Sequence, residues 1–143
     1  LGEISKPELR LRGAVIGLAQ ELRKNTPDIN LLCLLIMQYL CAIKVPSSVS
    51  AQKPVTLLDY LQVYGPIPLR PYIRILQQAR NTVAHSMYTQ LYDAKVRKHA
   101  DIIIHCGQCI LDYEISMCES VPSEASIQKA RLFWGMETFP KTL

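Results

Sequence analysis

Between Leu31 and Ile43 this chain reads Leu-Leu-Cys-Leu-Leu-Ile-Met-Gln-Tyr-Leu-Cys-Ala-Ile, and Gln38 is its one strongly polar interruption. A helix apolar on every side must be enclosed by other elements or by lipid. This run is too short to cross roughly 30 Å of hydrocarbon, so other helices have to surround it. The rest of the chain supplies candidates. Leu11, Val15, Leu18 and Leu22 recur on one helical face, as do Tyr72, Leu76, Ala79 and Val83, and later Val96, Ala100, Ile103, Gly107 and Ile110. Such spacing marks amphipathic helices with a core-facing stripe. No strand alternation longer than a few residues occurs, and neither an internal repeat nor a low-complexity tract is present. The expectation is an all-α fold, a compact bundle of four to six helices.

Boundary signals divide the chain. Ser5 to Glu8 forms a capping box for the first helix, a serine before the helix with glutamate three residues on. Asn25 to Asp28 stops that helix and opens the second, with Thr26 expected as cap and Pro27 at the first helical position. The second helix should reach about Lys44. Pro46 to Pro54 is a polar loop bracketed by prolines. Thr56, with Asp59 three residues on, opens a short helix that Gly65-Pro66 ends; Pro71 starts a fourth. Ser86 to Tyr92 reads as a polar joint, Asp93 to Cys118 as one long helix, and Ser123 as the cap of a last short helix through Trp134.

A length of 143 residues fits a single domain, residues 1–143, with one core. The start at Leu1, without a basic region followed by an apolar core, shows no secretory signal and suggests a domain cut from a longer protein. The cysteines, Cys33, Cys41, Cys106, Cys109 and Cys118, are odd in number and mostly lie in apolar helical runs. They read as reduced thiols, hence an intracellular location, cytoplasmic or nuclear. Cys106 and Cys109 beside His105 hint at zinc, but no second pair has the spacing of a closed tetrahedral site. Neither a metal nor a cofactor is expected. Walker-type glycine loops, paired catalytic carboxylates and serine-nucleophile elbows do not occur.

The net charge of +4 is unevenly spread. Arg70, Arg74, Arg80, Lys95, Arg97 and Lys98 face one acid, Asp93, in the same stretch. Basic clustering of this kind is the electrostatic footprint of nucleic acid, and equally an ordinary solvated face. Inside it lies Arg80-Asn81-x-x-x-His85. Histidine moves protons near neutral pH. The guanidinium is a planar charged fork for phosphate oxygens, and a carboxamide can hold either partner in place. The plain alternative is a helix-terminal arginine and a half-buried structural histidine. His99 and His105 point to different faces of their helix and read as structural. Tyr60, Tyr64, Tyr88 and Tyr92 have the faces to stack bases, and their spacing also fits helix packing. Trp134 beside Phe133 reads as an anchor for the last helix.

Arg80-Asn81-x-x-x-His85, with a helix leading into it and a long helix after it, resembles the R-x4-6-H signature of the HEPN superfamily, in which a polar residue such as Asn often follows the arginine. The resemblance implies a metal-independent RNA endonuclease acting on single-stranded RNA, often at a site made by two such domains. His85 would then take the 2′-hydroxyl proton, Arg80 would hold the scissile phosphate, and Asn81 would orient one of them. Arg70, Arg74, Lys95, Arg97 and Lys98 would bind the strand. Five residues of helix separate Arg80 and His85 by about 140° and roughly 7.5 Å, so a homodimer or a second HEPN domain is expected to complete the site. Some HEPN domains are noncatalytic, serving protein interaction or nucleotide and RNA binding, and that alternative stays open. In the toxin branch of the family a tyrosine often stands two residues after the histidine. Here Met87 holds that place and tyrosine follows at Tyr88, which argues against that branch.

Overall fold

The computed structural model describes residues 6–43, 56–85, 96–118, 121 and 123–135. They form six α-helices packed together and no strand. These are α1 (Lys6–Leu22), α2 (Ile29–Ala42), α3 (Leu57–Tyr64), α4 (Ile73–His85), α5 (Ala100–Ser116) and α6 (Glu124–Trp134), with a 3-10 helix, Ile67–Tyr72, leading into α4. The expected all-α bundle is the observed one. Helix α2 lies at its centre, packed against α1, α4 and α5, while α6 closes on α5 and the 3-10 turn. Leu32, Cys33, Ile36 and Leu40 of α2 are inaccessible to solvent, and they meet equally buried Leu18, Leu76, Ile103 and Ile110 from the surrounding helices.

The enclosure of α2 is incomplete. Leu31, Leu34, Gln38 and Cys41 form an exposed stripe along the helix, with Leu31 at 39% and Leu34 at 37% exposure. The three packed helices leave this fourth side open among the described residues, so all-round apolarity overstates the burial.

Capping residues fix most boundaries. Asp28, not Thr26, caps α2: its Oδ1 accepts from the Leu31 amide at 3.2 Å. The backbone amide of Asp28 donates to Glu21 Oε1 at 2.9 Å, and Lys24 pairs with the other Glu21 oxygen at 2.8 Å. Glu21 thus binds both sides of the α1–α2 turn, which moves the helix start two residues beyond the expected cap. The hydrogen bond from Lys24, then that from Asp28, holds the Glu21 carboxyl below its ordinary range. Thr56 caps α3 as expected, accepting from the Asp59 amide at 3.3 Å. Ser123 likewise accepts from Ser126 at 3.1 Å and caps α6. That helix ends on Gly135 at φ 72°, where a Cβ would run into Ile67 Cδ1, a left-handed and crowded position suited to glycine alone. The Ser5 cap, the loop 46–54 and the joint 86–92 lie outside the described residues.

Two further boundaries differ from expectation. Pro71 sits inside the 3-10 turn, and the α-helix begins only at Ile73. Pro68 and Pro71 lack the N–H groups that an α-helical ladder requires. The long helix also changes at its start: residues 98–99 form a turn, and α5 begins at Ala100. The residues before 96 lie outside the described set.

Polar ties cross the core. Tyr39 donates to Glu114 Oε1 at 2.6 Å, joining α2 to α5. Trp134 Nε1 donates to the Tyr113 hydroxyl at 2.9 Å, and Phe133 stacks on Tyr113 with centroids 4.1 Å apart, so the last helix is anchored by the aromatic pair that the sequence singled out. Burial raises the Glu114 carboxyl above its usual value, against the opposing pull of the Tyr39 hydrogen bond.

Two predictions follow from this packing. Ile36→Ala, at a fully buried site on α2, should cost about 2–5 kcal/mol in urea denaturation. Glu114→Gln tests this half-buried acid. A carboxyl whose folded pKa is raised favours folding in its protonated form, a contribution present below the unfolded pKa and lost as pH rises through the folded one. The variant stays neutral, so its urea midpoint should gain on the wild type as pH climbs from about 4 to 7. A constant difference across that range would remove the assignment.

Candidate functional site

Helix α4 carries the Arg80–Asn81 pair. Its inward stripe, Ile73, Leu76 and Ala79, is buried, and Cys33 Sγ donates to the Leu76 carbonyl at 3.5 Å, holding α4 on α2. This docking turns Arg74, Gln78 and Arg80 outward, where all three are exposed, and leaves Asn81 and Thr82 half-buried. The Arg80 charge still reaches the α2 thiols: burial pushes Cys33 up to about 12 against the opposing pull of the Arg80 guanidinium. Cys33 is therefore a thiol, not a nucleophile, at neutral pH.

Asn81 organises the local polar groups. Its Oδ1 accepts from Arg80 Nη1 and from Gln77 Nε2, each at 3.3 Å. Thr82 returns its hydroxyl to the Gln78 carbonyl at 2.9 Å. Helix α4 runs without a break through His85, so the angular offset between Arg80 and His85 persists. The His85 side chain lies outside the described residues.

A cleft of about 330 Å³ opens beside this pair, lined by Gln78, Ala79, Asn81 and Thr82 of α4 and by Lys98 and His99 at the start of α5. None of the six is acidic. Sequence reasoning placed Lys98 with the basic residues but set His99 aside and passed over Gln78 and Thr82. The positions 78, 81 and 82 do share one helical face by spacing. Their meeting with residues 98–99 is tertiary.

The basic residues divide into separate roles. Arg70 is half-buried, and its Nε donates to the Gly65 carbonyl at 2.7 Å while Nη2 donates to the Trp134 carbonyl at 3.3 Å. It ties the 3-10 turn to the ends of α3 and α6. Arg74, Arg97 and Lys98 are exposed; Lys95 lies outside the described residues. Tyr60 is buried and packs on the exposed Tyr64 with centroids 5.4 Å apart; Tyr88 and Tyr92 lie outside the described residues.

Of the cysteine–histidine group, only Cys106 is taken up by the core. Cys106 is buried, with its thiol pushed up to about 12. Cys109 Sγ lies 3.6 Å from His105 Nε2 on the next turn of α5. No cluster of three or more metal-ligating side chains occurs among the described residues. No helix among them is long and apolar enough to cross a membrane. Comparison with models of known families, with curated proteins and with solved structures finds no match.

The contrast between Arg70 and Arg74 is measurable. Arg70→Ala removes two charge-assisted bonds to carbonyls and should lower stability by about 1–3 kcal/mol. Arg74→Ala, at an exposed site, should stay within about 0.5 kcal/mol of wild type. Equal thermal shifts in the two variants would show that Arg70 contributes nothing beyond surface charge.

Proposed function

We propose that this chain is a HEPN-like, metal-independent RNA endonuclease whose site is completed by a second copy or a second domain of the same kind. The observation that carries the reading is the Arg80–Asn81 hydrogen bond on an exposed helix face. A guanidinium steered by a neighbouring carboxamide is pre-oriented for a phosphate, so less freedom is lost when the anion binds. The cleft alongside, with no acid among its described lining residues, adds to this support.

In this mechanism His85 takes the proton from a ribose 2′-hydroxyl, and the 2′-oxygen attacks the adjacent phosphorus. Arg80 offsets the charge that develops on the phosphate. The bond from phosphorus to the 5′-oxygen breaks, that oxygen acquires a proton, and the products are a 2′,3′-cyclic phosphate and a 5′-hydroxyl. DNA lacks the attacking hydroxyl, so single-stranded RNA is the substrate. Because α4 is continuous, positions 80 and 85 lie about 140° apart round one helix; in this reading a twofold axis sets each arginine beside the partner's histidine. The partners are thus RNA and a second HEPN-like domain, in the cytoplasm or nucleus. A noncatalytic RNA-binding or protein-interaction domain is the second reading, favoured by the same helix continuity if the chain stays monomeric.

Cleavage of single-stranded RNA in EDTA, with cyclic phosphate ends, is the expected result. His85→Ala and Arg80→Ala should each lower the rate at least about a hundredfold, with melting temperatures within a few degrees of wild type. Mixing the two inactive variants should restore part of the activity if the site is shared between copies. RNA that stays intact with the wild-type chain, alone and with a second HEPN domain, would overturn the catalytic reading.

A further inference from the structure

Three clefts merit comparison. One is lined by Pro68, Cys109, Asp112, Tyr113, Lys129, Leu132 and Phe133. A second lies between α1 and α5, around Leu22, Arg23, Leu111 and Ile115. Both include Asp112, whose carboxylate pairs with Lys129 at 3.0 Å, and apolar side chains make up much of each wall. The third, between α4 and Lys98–His99, has no carboxylate among its described lining residues and four side chains able to donate hydrogen bonds besides the Thr82 hydroxyl.

The donors of this third cleft are largely uncommitted. Asn81 uses Oδ1 for Gln77 and Arg80, which leaves both N–H bonds of its amide nitrogen for a ligand. His99 occupies the N-cap position of α5, yet its ring makes no capping hydrogen bond. Lys98 is exposed and forms no salt bridge with a described residue. A concavity rich in donors, carrying a cation and with no acid among its described lining residues, favours an anion that accepts several hydrogen bonds at once. Its volume of about 330 Å³ falls within the range of small-ligand sites.

We propose that this cleft is the subsite for an RNA phosphate next to the scissile one, with Lys98 and His99 contacting its oxygens and the Asn81 amide nitrogen donating to it. The inference rests on the RNA reading above and adds a second task for Asn81. One end of its carboxamide steers Arg80 toward the reacting phosphate, and the other end grips the neighbouring one. His99 is a substrate-binding residue here, and the strand's register on α4 is set by the cleft.

The test measures binding separately from cutting. The full chain carrying His85→Ala keeps the RNA intact, and fluorescence anisotropy follows a labelled single-stranded RNA of about a dozen nucleotides across a salt series. Lys98→Ala and His99→Ala, added to this background, should each weaken binding roughly tenfold. Lys98→Ala should also reduce the salt slope by about 0.7, the loss of one phosphate contact on a single strand. Arg10→Ala is the control: Arg10 is exposed on α1, which packs on α2 and α5 rather than on α4, and its affinity should stay unchanged. If His99→Ala loses its helical circular dichroism, Lys98→Ala and Gln78→Ala, both at exposed positions, carry the comparison. Cleft variants that bind like the Arg10 control overturn the subsite, and cleavage by the unmutated chain then still upholds the endonuclease reading. RNA bound but never cut, with affinity lost in the cleft variants, upholds the cleft as an RNA phosphate site and overturns both catalysis and its place beside a scissile bond. RNA neither bound nor cut overturns both.

Discussion

The burial of α2 is the constraint from which the remaining geometry follows. A helix whose Leu32, Cys33, Ile36 and Leu40 are fully covered needs apolar stripes on several sides, and α1, α4 and α5 provide them. Burial of this kind stabilises by about 1.5–3 kcal/mol per large side chain, far more than any surface contact in the molecule. Helix α4 therefore has little rotational freedom about its axis. With Ile73, Leu76 and Ala79 committed to α2, Arg80 and Asn81 must stand at the surface side by side. The candidate site is thus positioned by residues that take no part in its chemistry.

Helix existence was legible because apolar spacing reports directly which face is buried. The stripes through Leu18, Leu76, Ile103 and Ile110 all point into the core, and the Thr56 and Ser123 caps bind the amides expected of them. What escaped the sequence depends on partners distant along the chain. Thr26 and Asp28 both have capping side chains, and Glu21, seven residues before Asp28, decides between them by accepting its amide. The exposed stripe of α2 escaped because apolarity shows what a helix can bury, not how many neighbours arrive to bury it. The 3-10 turn was obscured by the same prolines that announced a helix start.

Basic residues offer the sharpest case. Arg70 and Arg74 are four residues apart, and composition treats them alike. Arg70 spends its guanidinium on the carbonyls of Gly65 and Trp134, the second of which lies 64 positions away. Nothing local distinguishes the two, so a count of positive charge overstates the surface available to an anion. His99 errs in the opposite direction. Six residues from His105 and on a different face of the helix, it reads as structural, yet the turn at residues 98–99 brings it to the cleft beside Asn81.

The R-N-x-x-x-H spacing gains a physical meaning from the unbroken helix that carries it. Had α4 ended at Asn81, the chain after it could have folded back and brought His85 to Arg80 within one copy. Continuity through His85 removes that route, and positions 80 and 85 stay about 140° apart round one helix. A catalytic reading then requires that what one helix separates, two helices reunite, while a binding reading requires only Asn81 and the cleft. The carboxamide stands at the branch between them. Its oxygen is turned to Arg80, and it lines the cleft with Lys98 and His99, so on the proposed reading one side chain would couple the grip on a strand to the orientation of the arginine. On the proposed reading such a site would bind as a single copy and cut only as a pair.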